Sequence, residues 1–184
     1  AELVSGEYLD EHHKVKVIAC AQCPIACEQM SMVKTGPFEG AMTGIEYECL
    51  QAVSSNCGID DMTAAIRLVD VADRCGMDAM SMGVTISFAM ECYERGVLKK
   101  EDFKCEKAPE GIELNFGHGA GAVILAQMMR DKEGIGEILS EGTRRASAYI
   151  DKERGTETYK WAMNIKGLET PGYDARALKT FAVG

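Results

Sequence analysis

Between Ala19 and Glu28 the chain reads A-C-A-Q-C-P-I-A-C-E, and no other stretch sets so tight a condition on the fold. Cys20, Cys23 and Cys27 are soft metal donors in a C-x2-C-x3-C run, close enough in sequence to converge on one centre if the backbone turns around them. Pro24 cannot donate to a preceding turn but is tolerated at a helix start, so the spacing predicts a loop leading into a short helix. Three thiols are one short of the four that an iron–sulfur cluster or a structural zinc takes. Iron–sulfur suits the run better than zinc, because no second knuckle follows and His12 and His13 lie in a charged lead-in. The fourth ligand then lies elsewhere in the chain, on a partner, or beyond the ends. The plainer reading is three packed thiols.

Cys49, Cys57, Cys75 and Cys92 fall on helical or turn positions and read as buried small hydrophobes. Eight cysteines without a secretory signal favour metal binding in a reducing compartment over a disulfide framework, and so a cytoplasmic protein. A net charge of −9 argues against nucleic acid as partner. No apolar run approaches the roughly 18 residues of a membrane span. The chain starts without Met and ends on F-A-V-G with no polar tail, so a fragment of a longer polypeptide is expected.

Glycines and acids punctuate the rest. Glu7–Lys14 reads as a turn or two of helix, Lys34–Gly44 as a loop, and Ile45–Asn56 as a short helix. Asp60 or Asp61 caps a helix through Cys75, whose Ala65, Leu68, Val69 and Ala72 follow the helical period and whose stop is Gly76. Further helices are expected over Ser81–Arg95, Ala120–Lys132 and Glu137–Tyr149, with Val97–Ile112 as a charged connection and Tyr159–Ile165 extended. Short connections favour antiparallel packing, so the expected fold is mostly α and bundle-like. The helical domain is placed at residues 1–158, and 159–184 as the start of another.

Three motifs carry candidate chemistry. Glu46-Tyr47-Glu48 puts two carboxylates about 200° apart on a helix, where they cannot share one substrate. Either acts as a general acid or base only if burial raises its pKa, and solvated carboxylates are the simpler reading. Asp73-Arg74-Cys75-Gly76-Met77-Asp78 straddles a helix stop with two acids, which face the negative end of a helix dipole unless they bind a ligand's N–H groups. Gly117–Gly121, G-H-G-A-G, lacks the strand or Lys-Ser/Thr of a phosphate site and reads as a turn-rich loop, with His118 a loop histidine.

In this order, C-A-Q-C-P-I-A-C, G-I-E-Y-E, S-N-C-G-I-D-D, D-R-C-G-M-D-A-M-S-M-G, E-G-I-G-E-I-L-S-E-G and K-G-L-E-T-P-G-Y-D-A-R resemble the tungsten-containing aldehyde:ferredoxin oxidoreductase family, from Cys20 to Arg176. The resemblance implies a helical domain of that family's C-terminal type. It implies an enzyme oxidising a small aldehyde to a carboxylate at a tungsten (or molybdenum) bis-pterin, with electrons leaving through a [4Fe-4S] cluster to ferredoxin or a similar acceptor. Cys20, Cys23 and Cys27 become three cluster ligands, Asp73, Met77 and Asp78 pterin contacts, and Glu48 the active-site carboxylate. The fourth cysteine and the remaining pterin contacts would belong to other domains of the same polypeptide, so the isolated chain is expected to be inactive and free of cofactor. Two departures stand out. Where some members hold an iron with E-x-x-H, this chain has Arg67-Leu68-Val69-Asp70, and Phe181 stands where aldehyde oxidoreductases carry a histidine. The rival readings are a non-catalytic iron–sulfur electron-transfer or scaffold subunit and a zinc-stapled helical interaction module.

Overall fold

The computed structural model describes residues 2–173 and 177–183, without the side chains of Phe181 and Ala182. Ser5 opens α1 (Gly6–His12), its hydroxyl accepting the Tyr8 N–H. The chain then forms three strands, β1 (Lys14–Ile18), β2 (Glu28–Met32) and β3 (Met42–Ile45), in an antiparallel sheet ordered β1-β2-β3. Gln29 stands opposite Val17 on one side and Ile45 on the other. This sheet is absent from the sequence reading, which placed a loop over 34–44 and a short helix after Pro24. The reason is physical. Val15 and Val17 remain about half exposed (52% and 48%), so β1 is held by ladder hydrogen bonds rather than by burial of one face, and the pattern signal is weak.

Helices make up the remainder, and the fold is mostly α. After α2 (Tyr47–Val53), Asp61 caps α3 (Met62–Cys75) by accepting the Thr63 N–H at 2.9 Å. At the other end Gly76 takes a left-handed φ of +68°, and the N–H groups of Gly76 and Met77 return to the carbonyls of Asp73 and Ala72. That pair of bonds is a Schellman stop. Asp78 then caps α4 (Ala79–Glu94), which buries Met82, Ile86, Phe88, Met90 and Cys92. α5 (Gly119–Asp131) packs on α3, and α2 on α4. The α2–α4 crossing depends on Gly83, where an added Cβ would stand 2.6 Å from the Ala52 carbonyl.

The expected helix over 137–149 is two: α6 (Ile135–Leu139) and α7 (Thr143–Arg154). Gly142, at φ +83°, breaks the run, and the N-terminus of α7 is capped from 26 residues away. The cap is the Glu169 carboxylate, whose Oε1 accepts the Thr143 N–H at 2.7 Å and its hydroxyl at 2.9 Å. Glu169 ends a two-strand hairpin, β4 (Asn164–Ile165) and β5 (Leu168–Glu169), and α8 (Lys179–Val183) follows. No helix among the described residues is long and apolar enough to cross a membrane.

Candidate functional site

The cysteine run forms the loop of the β1–β2 hairpin, closed by a turn in which the Cys23 N–H meets the Cys20 carbonyl at 3.0 Å. Gln22 and Ala26 adopt positive φ, 64° and 50°, a conformation that L side chains adopt at a cost of about 1–2 kcal/mol each. Cys20 and Cys27 are exposed and Cys23 half-buried, all as free thiols. Among the described residues no three His, Cys, Asp or Glu side chains gather closely enough to hold a single ion. A zinc needs its sulfurs within about 2.3 Å of one point. A cluster takes one thiolate per iron, so its sulfurs stand apart, and three soft donors on one exposed loop suit it in kind.

Pairing of Gln29 with Ile45 carries the end of this loop toward the start of α2, where Glu48 lies. Glu46 is the exposed residue before the helix, and Glu48 sits in its first turn, half-buried. One oxygen of Glu48, Oε2, accepts the backbone N–H of Gly172 at 2.8 Å, 124 residues away. The other, Oε1, is shielded from solvent and has no partner among the described residues. The simpler reading of a solvated carboxylate therefore holds for Glu46 and fails for Glu48. Leaving a buried acceptor unpaired costs about 1–3 kcal/mol.

Asp73, in the last turn of α3, accepts the Thr43 hydroxyl from β3. Asp78 does not face the end of α3. It caps the next helix, its Oδ1 taking the Ser81 N–H at 2.6 Å, where a carboxylate meets the positive end of the α4 dipole. Both acids are exposed, and Met77 between them is half-buried. Met77 and Asp78 line a groove of about 400 Å³ whose far side is Ser140, Gly142, Leu168 and Glu169. Three stretches separated by more than 20 residues thus meet at one surface: 76–78, 139–142 and 167–169. Exposed carboxylate oxygens beside a groove suit a ring ligand that presents N–H donors, which is the chemistry of a pterin edge.

Cys49 ties these parts together electrostatically. Burial, then the charges of Glu46, Asp73, Asp78 and Glu48, push its thiol up to about 11. All four carboxylates therefore act on one point at the α2–α3–α4 junction, and Cys49 stays protonated at neutral pH, a poor thiolate donor. Cys57 and Cys92 are buried as expected, whereas Cys75 is exposed at the end of α3. His118 lies in its loop, its Nδ1 paired with the Glu113 carbonyl at 2.7 Å. Arg67 and Asp70, at the positions of the E-x-x-H pair, bond to each other. Arg74 closes the other side of the nearly inaccessible Asp70 at 2.7 Å. Phe181 lies outside the described side chains, as do Asp174–Arg176. Sequence reasoning missed Thr43, Glu169 and Gly172 as parts of the site. Only the K-G-L-E-T-P-G stretch, read as part of a motif, pointed to the last two.

All 184 residues match the family description "Aldehyde ferredoxin oxidoreductase, domains 2 & 3". A tungsten-containing aldehyde ferredoxin oxidoreductase of Pyrococcus abyssi is 34% identical over 98% of this chain and 28% of its own length. The aliphatic sulfonate oxidoreductase, WOR-like subunit, of Pyrococcus furiosus is 33% identical over 84% of this chain and 24% of that protein. The chain thus spans about a quarter of the length of the curated relatives it matches. Among solved structures, the active site complex BamBC of benzoyl coenzyme A reductase with 1,5-dienoyl-CoA superposes with a TM-score of 0.66 at 26% identity. That match covers 89% of this chain and 22% of the other.

Proposed function

The chain belongs to the aldehyde ferredoxin oxidoreductase family, and we propose that in the whole protein it supplies the helical side of a redox site oxidising an aldehyde to a carboxylate. The observation that supports this most directly is Glu48, a carboxylate held by one oxygen with the other buried and free, in the same corner as Asp73 and Asp78.

Aldehyde and water give a carboxylate, two electrons and three protons. A tungsten (or molybdenum) bis-pterin bound here would accept the electron pair, and a four-iron cluster would pass it on singly to ferredoxin or a similar acceptor. The chain's own residues do the positioning. Asp73 and Asp78 would hold the cofactor's N–H groups, with Met77 beside them. Cys20, Cys23 and Cys27 would ligate the cluster, with a fourth ligand supplied by another part of the polypeptide. Glu48 receives a substrate proton at Oε1, where its lone pairs have no other partner. The family is a set of oxidoreductases with tungsten-containing relatives. The aldehyde, the ferredoxin and a cytoplasmic setting belong to the proposal.

Likeness to the benzoyl coenzyme A reductase complex favours a second reading, reduction of an aromatic acyl thioester at the same site. The test is turnover by the full-length, anaerobically purified protein with an aldehyde and a viologen dye. The proposal expects dye reduction that falls at least a hundredfold in Glu48→Gln, because a proton acceptor contributes on the order of 10²–10⁴ in rate. Dye oxidation by an aromatic acyl thioester, with no response to aldehydes, would favour the second reading.

A further inference from the structure

We infer that Gly172 is a positioning residue: its backbone N–H holds one oxygen of Glu48 so that the other is presented to whatever occupies the site. This rests on the reading of Glu48 as the site carboxylate and extends it to the segment that orients it.

A glutamate has three rotatable bonds, and nothing in its own helix fixes them. The fixing comes from the strap of residues 164–173. Its upstream end is anchored by Glu169, which takes both the N–H and the hydroxyl of Thr143 and closes the groove beside Asp78. Its downstream end lies along α2. The Tyr173 ring stands 5.9 Å from that of Tyr47, Gly172 bonds Glu48, and a Cβ on Gly172 would meet the Gln51 side chain at 2.8 Å. Pro171 restricts the backbone just before the donating N–H. Three residues of α2 are thus touched by two neighbouring residues of the strap. With Oε2 held by Gly172, Oε1 stays buried and without a partner among the described residues. The strap also links the groove to the carboxylate, since the ten residues that carry Glu169 carry Gly172 as well.

Two measurements test this. In the chain itself, Glu48→Ala should speed amide hydrogen exchange at Gly172 about tenfold or more, as loss of a hydrogen bond to a charged acceptor does, while Thr143 keeps its rate. Unchanged exchange at Gly172 overturns the inference without requiring any cofactor. In the full-length holoenzyme, Gly172→Pro removes the N–H, whereas Gly172→Ala keeps it and only displaces the flexible end of Gln51. The expected result is a kcat at least tenfold lower in Gly172→Pro than in Gly172→Ala, at similar KM and similar helical content. Full turnover in Glu48→Gln would overturn the functional reading beneath. Loss of turnover there, with Gly172→Pro and Gly172→Ala equal, would overturn the positioning role alone.

Discussion

Eight thiols in one chain differ in what surrounds them, and those surroundings dictate their chemistry. Cys57 is enclosed, and burial pushes its thiol up to about 12, while its hydrogen donates toward the carbonyls of Ala52 and Gly83 at 3.4 Å. Cys92 is pushed to about 11, again chiefly by burial, near Trp161. Cys20 and Cys27 lie open on the hairpin loop. Alkylation of the folded, metal-free chain at pH 8 should therefore modify Cys20, Cys27 and Cys75 first and leave Cys57 and Cys92 intact until denaturant is added. Peptide mapping reads the order, and early labelling of Cys57 would contradict the packing described. At this scale the sequence told much. The thiol run and the D-R-C-G-M-D acids were legible as residues. What Asp78 does was not, because its role as a cap depends on where the next helix begins. Glu48 and Glu46 look alike in sequence, and only the strap makes them different.

Helix ends show the same division. Gly76 and Asp61 are local signals, and both α3 boundaries fall where the sequence places them. The break at Gly142 was missed because the cap that favours it comes from Glu169, and no window of neighbouring residues contains that information. The end of α7 offers a pH test. Burial acts to raise the pKa of Asp151, but hydrogen bonds outweigh it: the Thr158 N–H, the Thr156 hydroxyl and the Tyr159 N–H. Together they hold its carboxyl below the usual 3.8. A carboxylate depressed in the folded state contributes stability above its unfolded pKa and loses it as pH falls through the folded value. Asp151→Asn should thus be less stable than the parent at pH 6–7. The gap in urea midpoint should close as the pH drops below about 3.8. A gap that stays constant with pH would show that Asp151 does not bear this charge-assisted role.

For the whole molecule, the question is whether residues after 158 belong to the helical body's cooperative unit. The only tryptophan, Trp161, lies under the Arg95 guanidinium at 4.4 Å and packs against the core beside α4. With the Glu169 and Gly172 bonds, it joins the strap to three helices. Unfolding followed by tryptophan emission and by far-ultraviolet circular dichroism should therefore give coincident transitions, the usual sign of one cooperative unit. An earlier tryptophan transition would favour a boundary at 158. The mostly helical architecture was legible from spacing and stop residues. The hairpin sheet was not, since β1 is held by backbone pairing and leaves its valines half exposed.

The bond between Glu48 and Gly172 also has a calendar. The two residues are 124 positions apart, so at about 5–20 residues per second the ribosome makes the acceptor about 6–25 seconds before its donor. By the time Gly172 is made, the thiol loop, the sheet and the helices through α7 have all been synthesised, while the carboxylate has no strap to aim it. The corner with Asp73 and Asp78 is thus built early and its acid is set last. Glu48 therefore gains its outside anchor only after residues 164–173 have followed.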